Sequence, residues 1–114
     1  MPSTTEEVMG HHMGAMAATD VDEIMADYAD DAVLFSPDGT IEGKAAITEF
    51  FTGFMTLLTP EFLANFVMGS QQVNGEYGYL TWSVTGAVPL GTDSFHVVDG
   101  KIKMQSFAVH MSAD

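Results

Sequence analysis

The stretch Thr92–Met111, TDSFHVVDGKIKMQSFAVHM, decides how the rest of the chain is interpreted. Two runs of β-forming residues flank Asp99-Gly100, a pair that supplies the positive φ angles of a tight hairpin turn. Side chains alternate between the two faces of a strand, and this groups half of them together. That shared face comprises Asp93, Phe95, Val97, Gln105, Phe107, Val109 and Met111. Neither face is clearly polar, so the hairpin is predicted to be central and covered on both sides.

Apolar residues at helical spacing predict three helices before this hairpin. They span residues 3–18, the segment from Asp20 to Asp30, and residues 44–58. Ser3 or Thr4 can cap the first helix. Tyr28 falls on the buried side of the second, and Pro60 forbids continuation of the third.

Strand-like runs make up most of the remaining chain. They cover Ala32–Phe35 and residues 62–73, 77–88, 93–98 and 102–111, with turns at Asn74-Gly75, Pro89-Leu90-Gly91 and Asp99-Gly100. Helices first and an antiparallel meander second is an α+β plan. We expect one domain over residues 1–114, a cone-shaped curved sheet with three N-terminal helices packed on its concave face.

The charge balance excludes several classes of function. The chain has sixteen carboxylate side chains, three lysines and no arginine, which gives a net charge of -13. Binding to nucleic acid requires basic side chains against phosphates, and anionic membranes are disfavoured for the same reason. Without cysteine, neither disulfides nor thiol chemistry arise. The beginning MPSTTEE lacks the basic region of a secretory signal, so a cytoplasmic location is expected.

Two segments carry a family resemblance. Residues 20–51, DVDEIMADYADDAVLFSPDGTIEGKAAITEFF, and residues 93–107, DSFHVVDGKIKMQSF, resemble the nuclear transport factor 2-like superfamily in its SnoaL-like and ketosteroid isomerase-like branch. The resemblance implies the cone-shaped fold and a homodimer formed through the sheet face. It does not decide the activity, because this fold hosts enzymes, ligand binders and interaction modules.

The functional positions of these relatives match only in part. Ketosteroid isomerases place a general-base aspartate where this chain has Ser36, and a serine hydroxyl without a neighbouring base cannot take a proton from carbon. Asp93 matches their protonated aspartate, and His12 stands where they have a tyrosine. SnoaL-like cyclases carry a histidine and an aspartate on the last strand, where this chain reads Gln105-Ser106-Phe107. The arginine-bridged aspartates of the related epoxide hydrolases are absent.

Asp93 and His12 are the candidate catalytic residues. A carboxyl group beside Phe95 is expected to have its pKa raised by desolvation, so that it can donate a hydrogen bond or act as a base near neutrality. His12 lies on the apolar stripe of the first helix and faces the same side. The alternatives are a solvated aspartate at the entrance of the strand and a core histidine. Adjacent His11 and His12 point about 100° apart on a helix, so no metal site is predicted.

Other residues are candidates for lining a pocket that binds a small hydrophobic molecule. They are Met16, Tyr28, Phe35, Phe54, Trp82, Phe95, Gln105 and Phe107. Simple core packing is the alternative for each. Three functions remain possible. The first is an isomerase-, cyclase- or lyase-type enzyme without a cofactor, acting on a hydrophobic carbonyl or polyketide-like compound. The second is a non-catalytic binder of a small hydrophobic ligand. A dimerising accessory module is the third.

Overall fold

In the part of the chain that the structure describes, the fold is built on a single curved, open sheet of six strands in the order β2-β1-β6-β5-β4-β3. The computed structural model describes residues 3–110. The strands are β1 Tyr28–Ser36, β2 Gly39–Glu42, β3 Phe66–Asn74, β4 Tyr77–Val84, β5 Val88–Val98 and β6 Lys101–His110. Neighbours are antiparallel except β1 and β6, which run parallel. The predicted α+β class is confirmed. The end of the predicted last strand, Met111, lies outside the described residues.

Within residues 3–110, four helices accompany the sheet. They are α1 Thr5–Ala17, α2 Val21–Met25, α3 Lys44–Phe54, which continues as a 3₁₀ turn over Met55–Leu57, and α4 Pro60–Ala64. A capping box begins α1, because the Glu7 amide donates to Thr4 Oγ1 while the Thr4 amide donates to Glu7 Oε1. Asp20 caps α2 through the amide of Glu23. No helix within residues 3–110 is both long enough and apolar enough to cross a bilayer.

The second helix is shorter than predicted, and Tyr28 begins β1 instead of lying on the helix. The helix ends at Met25, and the Ile102 amide of β6 then donates to the Asp27 carbonyl. This long-range bond draws the chain into the sheet one turn earlier than helical spacing indicates. The segment Gly39–Glu42, for which no strand is predicted from the sequence, is the edge strand β2.

Two further corrections concern proline and glycine. Residues 62–64 belong to α4, not to a strand, because Pro60 ends one helix and then occupies the first turn of the next, which Thr59 caps. The turn predicted at Pro89-Leu90-Gly91 lies three residues earlier. Gly86, with a φ of 86°, makes that turn, and β5 already starts at Val88.

The β5–β6 hairpin lies at the centre of the sheet, as its sequence predicts. Phe95 and Gln105 are paired across it and are both buried, on the face against which α1 packs. The opposite face is only half-buried within one chain, at positions such as Ser94 and His96. Within one chain, the expected cover is therefore present on the helix-covered face, which we call the inner face.

We expect Gly78→Ala to destabilise the fold, because a Cβ at this position on β4 would collide with Met9 Sδ of α1. Met9 is fully buried, so any movement of its side chain would require the surrounding core to repack. Overpacking of this kind costs about 1–3 kcal/mol. Chemical denaturation measures the loss. The matched control Gly53→Ala, where nothing lies within 4 Å, should be neutral or stabilising by up to about 1 kcal/mol. Equal stability of the two variants would contradict the close helix–sheet contact.

Candidate functional site

A cavity of about 80 Å³ lies between the helices and the inner face of the sheet. Its lining is apolar apart from His12, Asp93 and Gln105. The lining residues are His12, Met13, Met16, Ala17, Phe50, Phe51, Phe54, Leu58, Phe62, Leu63, Phe66, Trp82, Asp93, Gln105 and Phe107. A carboxylate, an amide and an imidazole thus share one hydrophobic enclosure.

Asp93 is held by one donor on each carboxylate oxygen. Trp82 Nε1 donates to Oδ2 at 2.8 Å, and Gln105 Nε2 donates to Oδ1 at 2.9 Å. The register of the sheet explains this convergence: Asp93 pairs with Leu80 on β4 and with Phe107 on β6, so Trp82 and Gln105 are its diagonal neighbours on the same face. The orientation of the carboxyl group is therefore fixed by both adjacent strands.

Tyr28 determines which end of the Gln105 amide faces the carboxylate. Its hydroxyl donates to Gln105 Oε1, which leaves Nε2 to point at Asp93. Tyr28 is buried, and burial, together with the nearby Asp93 charge, raises the pKa of its hydroxyl well above the ordinary value. The hydroxyl therefore stays protonated and remains a donor. The result is a continuous chain of donors that ends on Asp93.

Burial raises the pKa of Asp93 to about 6, although the hydrogen bonds from Gln105 and Trp82 oppose the shift. The direction follows from the apolar cavity, which penalises the charged form more than two donors stabilise it. Asp93 is only partly buried, and it lines the cavity. A carboxyl group with this pKa can take up or release a proton near neutral pH.

His12 is buried against three aromatic rings, with centroid distances of 5.4 Å to Phe95, 6.0 Å to Tyr28 and 6.1 Å to Phe51, all edge-to-face. Burial, and then the neighbouring His11, lower its pKa to about 4, so the imidazole is neutral at physiological pH. Its Nδ1 is buried without a hydrogen-bond partner. His12 and Asp93 line the same cavity, but no hydrogen bond joins them among the described side chains.

Gly91 and Phe66 position the indole of Trp82. A Cβ at Gly91, which pairs with Trp82 across β4 and β5, would collide with the six-membered ring of the indole. Phe66 stacks on Trp82 with 5.5 Å between the ring centroids. The absence of a side chain at Gly91 therefore lets the indole lie across β5 and reach Asp93, two residues further along that strand.

Most of the sequence-predicted ligand-binding residues lie around the cavity. Those in the lining are Met16, Phe54, Trp82, Gln105 and Phe107. Tyr28 and Phe95 are buried behind it. Phe35 requires a correction: it pairs with Ser106 on the outer face, where it is 46% exposed, because Leu34 occupies the inner face of β1.

Sequence reasoning missed several lining residues. Phe51 lies three residues before Phe54 and Leu58 four residues after it, so the helical spacing already contained the signal for both. Phe62 and Phe66 were missed because residues 62–73 were assigned to a single strand.

Other polar groups considered in the sequence lie elsewhere. Ser36 Oγ donates to the Gly39 carbonyl and accepts from the Asp38 amide, so it stabilises the β1–β2 turn. His11 Nδ1 lies 2.6 Å from Asp27 Oδ2 at the surface. No group of three histidine or acidic side chains among residues 3–110 could hold a metal ion.

Residues 10–104 match the model of the SnoaL-like domain, so the chain belongs to the SnoaL-like family. This confirms the resemblance inferred from residues 20–51 and 93–107. No curated protein matches the chain.

Solved structures with the same fold include proteins with different properties. A protein of the nuclear transport factor 2-like type from Burkholderia xenovorans is 20% identical, with a TM-score of 0.76 over 96% of this chain and 85% of that one. An epoxide hydrolase/cyclase-like enzyme of pyran ring formation in the polyether salinomycin is 18% identical, with a TM-score of 0.76 over 93% and 90%. A de novo designed protein with a curved β-sheet is 19% identical, with a TM-score of 0.76 over 93% and 84%. At these identities the similarity shows the fold alone.

Replacing Asp93 by asparagine should change how stability depends on pH. The pKa of Asp93 is raised on folding, so its contribution to stability is fully present below pH 4 and is lost as the pH rises through about 6. Asp93→Asn cannot ionise. From pH 4 to 7.5 its free energy of unfolding should therefore rise relative to wild type by about 2–3 kcal/mol.

Denaturant titrations at a series of pH values measure this difference. Any constant loss of hydrogen bonding in the variant cancels, because only the change with pH is compared. A difference that is independent of pH would contradict the raised pKa.

Proposed function

We propose that the protein is an acid–base enzyme of the isomerase, cyclase or lyase type, acting on a small hydrophobic carbonyl compound bound in the cavity. One observation carries the proposal: the Asp93 carboxyl group faces an apolar enclosure and is held there by Trp82 and Gln105. A fixed orientation reduces the reorganisation needed at the moment of proton transfer.

In the proposed reaction, ionised Asp93 takes a proton from the carbon next to the carbonyl group and returns it to another position of the same molecule. The neutral imidazole of His12 carries one N–H, which donates to the carbonyl oxygen as negative charge develops there. His12 lines the cavity, which supports a ligand-facing role for its imidazole.

The size of the cavity limits the substrate. Its volume of about 80 Å³ is well below the 300–1,000 Å³ of sites for drug-sized ligands. It fits a compound of a few carbon atoms, or one end of a longer polyketide-like chain. Met13 and Met16, both half-buried in the lining, are flexible enough to enlarge it.

A second candidate function is non-catalytic binding of a small hydrophobic ligand. It is favoured because both Asp93 oxygens already accept hydrogen bonds, and because Gln105 stands where the cyclases carry an acid–base residue. The two functions predict the same cavity occupant and differ in whether its protons exchange.

Hydrogen–deuterium exchange in small ketones distinguishes the enzyme from the non-catalytic binder. We expect the protein to accelerate deuterium incorporation from heavy water next to the carbonyl group, across ketones from 2-butanone to cyclohexanone, as followed by NMR. Asp93→Asn should lower the rate by about 10²–10⁴-fold, the usual contribution of a general base. Asp99→Asn, an exposed change in the hairpin turn where φ is 51°, is the matched control and should keep full activity. Ketone binding without exchange would favour the binder, and full activity of Asp93→Asn would refute the proposed base.

We also propose that two chains associate through the outer face of the sheet. Phe35 and Tyr79, 46% and 37% exposed, flank Ser94 and Ser106 in one row across the sheet. A two-fold axis across the middle of this row would place Phe35 of one chain opposite Tyr79 of the other, and the serines of the two chains opposite each other.

Sedimentation equilibrium tests the dimer. The double variant Phe35→Glu/Tyr79→Glu should be monomeric, because charged residues would face each other across the interface. Leu57→Glu, at a position 58% exposed and outside the sheet, should leave the association unchanged. A wild-type protein that is monomeric at all concentrations would refute this interface.

A further inference from the structure

We propose that the same cavity binds small apolar amines as their cations, with the ammonium group against the Asp93 carboxylate. The inference rests on the proposed binding of small molecules in the cavity, but not on the proposed catalysis. Such an amine would bind to the protein when Asp93 is ionised, and it would compete with the carbonyl substrate for the cavity.

The first reason is that the negative charge of Asp93 has no positive partner. Among residues 3–110, no lysine lines the cavity and Asp93 takes part in no ion pair. Lys103 is bound to Asp31, and Lys101 donates to the carbonyl of Ala26. An unpaired carboxylate in an apolar enclosure is costly, and a cation that enters the cavity removes that cost.

The second reason is that the carboxylate still has room to accept. A carboxylate offers about four lone-pair positions, and Trp82 and Gln105 use one on each oxygen. Both existing bonds come from neutral groups, which orient the carboxylate without neutralising it. An ammonium group can add its own charge-assisted hydrogen bonds to this pre-oriented acceptor.

The third reason is the aromatic wall around the carboxylate. Phe50 lies 5.7 Å from Phe54 and 5.6 Å from Phe107 between ring centroids, and Phe66 stacks on Trp82. All five rings line the cavity. Ring faces attract cations, while their carbon surface suits the alkyl part of an amine. Asp93 is the one carboxylate among the described lining residues, so the cavity does not offer the cluster of ligands that would hold a metal ion.

The fourth reason is the field of the whole molecule. A net charge of -13 attracts cations and repels anions before they reach the cavity. His12 does not offset this field, since its imidazole is neutral above about pH 4. The site therefore distinguishes ligands of equal shape by their charge.

Three isosteric probes test the inference: isobutylamine, isobutanol and isobutyrate, with binding followed by NMR shifts of backbone amides around the cavity. At pH 7.5 we expect the amine to bind at least tenfold more tightly than the alcohol, and isobutyrate most weakly. In Asp93→Asn the preference for the amine should fall to within about twofold, while the affinity for the alcohol changes little. Asp99→Asn should behave as wild type.

A pH series on the wild-type protein provides a second test, which does not require the variant to fold. Asp93 and His12 are the titratable groups in the lining of the cavity. Tyr28 is buried behind the lining and stays protonated. The side chains that α3, α4 and β3 contribute to the lining are apolar. Between pH 7.5 and 5 the amine should lose about tenfold in affinity as Asp93 takes up a proton, and the alcohol should not.

The outcomes separate this inference from the proposed function. Equal affinity for amine and alcohol, or an amine affinity that does not change with pH, would overturn the ammonium site and leave the proposed enzyme intact. If none of the three probes binds and no ketone binds, both proposals fail. Inhibition of ketone exchange by isobutylamine, competitive with ketone, would support both.

Discussion

The arrangement of the cavity depends on one unfavourable state, a carboxylate in apolar surroundings without a cation. Two N–H donors hold Asp93 in place, but they do not cancel the cost of burying its charge, and its pKa rises to about 6. Neighbouring features can be understood as supports for this group. Tyr28 orients the amide of Gln105, and Gly91 leaves space for the indole of Trp82.

The fold brings these groups together from distant parts of the sequence. Asp93 and Gln105 meet within one hairpin, whereas Trp82 comes from the preceding strand, and Tyr28 reaches Gln105 across 77 positions through the parallel pairing of β1 with β6. The donor chain therefore needs two antiparallel pairings, β4 with β5 and β5 with β6, and one parallel pairing, β6 with β1. The helices contribute the apolar roof of the cavity and one neutral imidazole.

The sequence was sufficient for the parts of the site that depend on alternation within one hairpin. The faces of β5 and β6 follow from side-chain parity, and this places Asp93, Gln105 and Phe107 together. The bond from Trp82 to Asp93 was not predictable, because it depends on the register between β4 and β5. That register follows from the turn at Gly86, which competes with an equally plausible turn signal at residues 89–91. Phe35 was assigned to the wrong face because the alternation of side chains within β1 was not considered. Phe62 was missed because Pro60 also starts a helix, which was not predicted from the sequence.

The bond between Trp82 and Asp93 has a consequence for how the molecule can be observed. Trp82 is the chain's single tryptophan, and its indole N–H donates to the carboxyl group of Asp93. Its emission therefore comes from one place, the wall of the cavity, and senses the charge on Asp93 directly. The single indole is therefore an intrinsic optical reporter of proton uptake at Asp93, and no label is needed to read it.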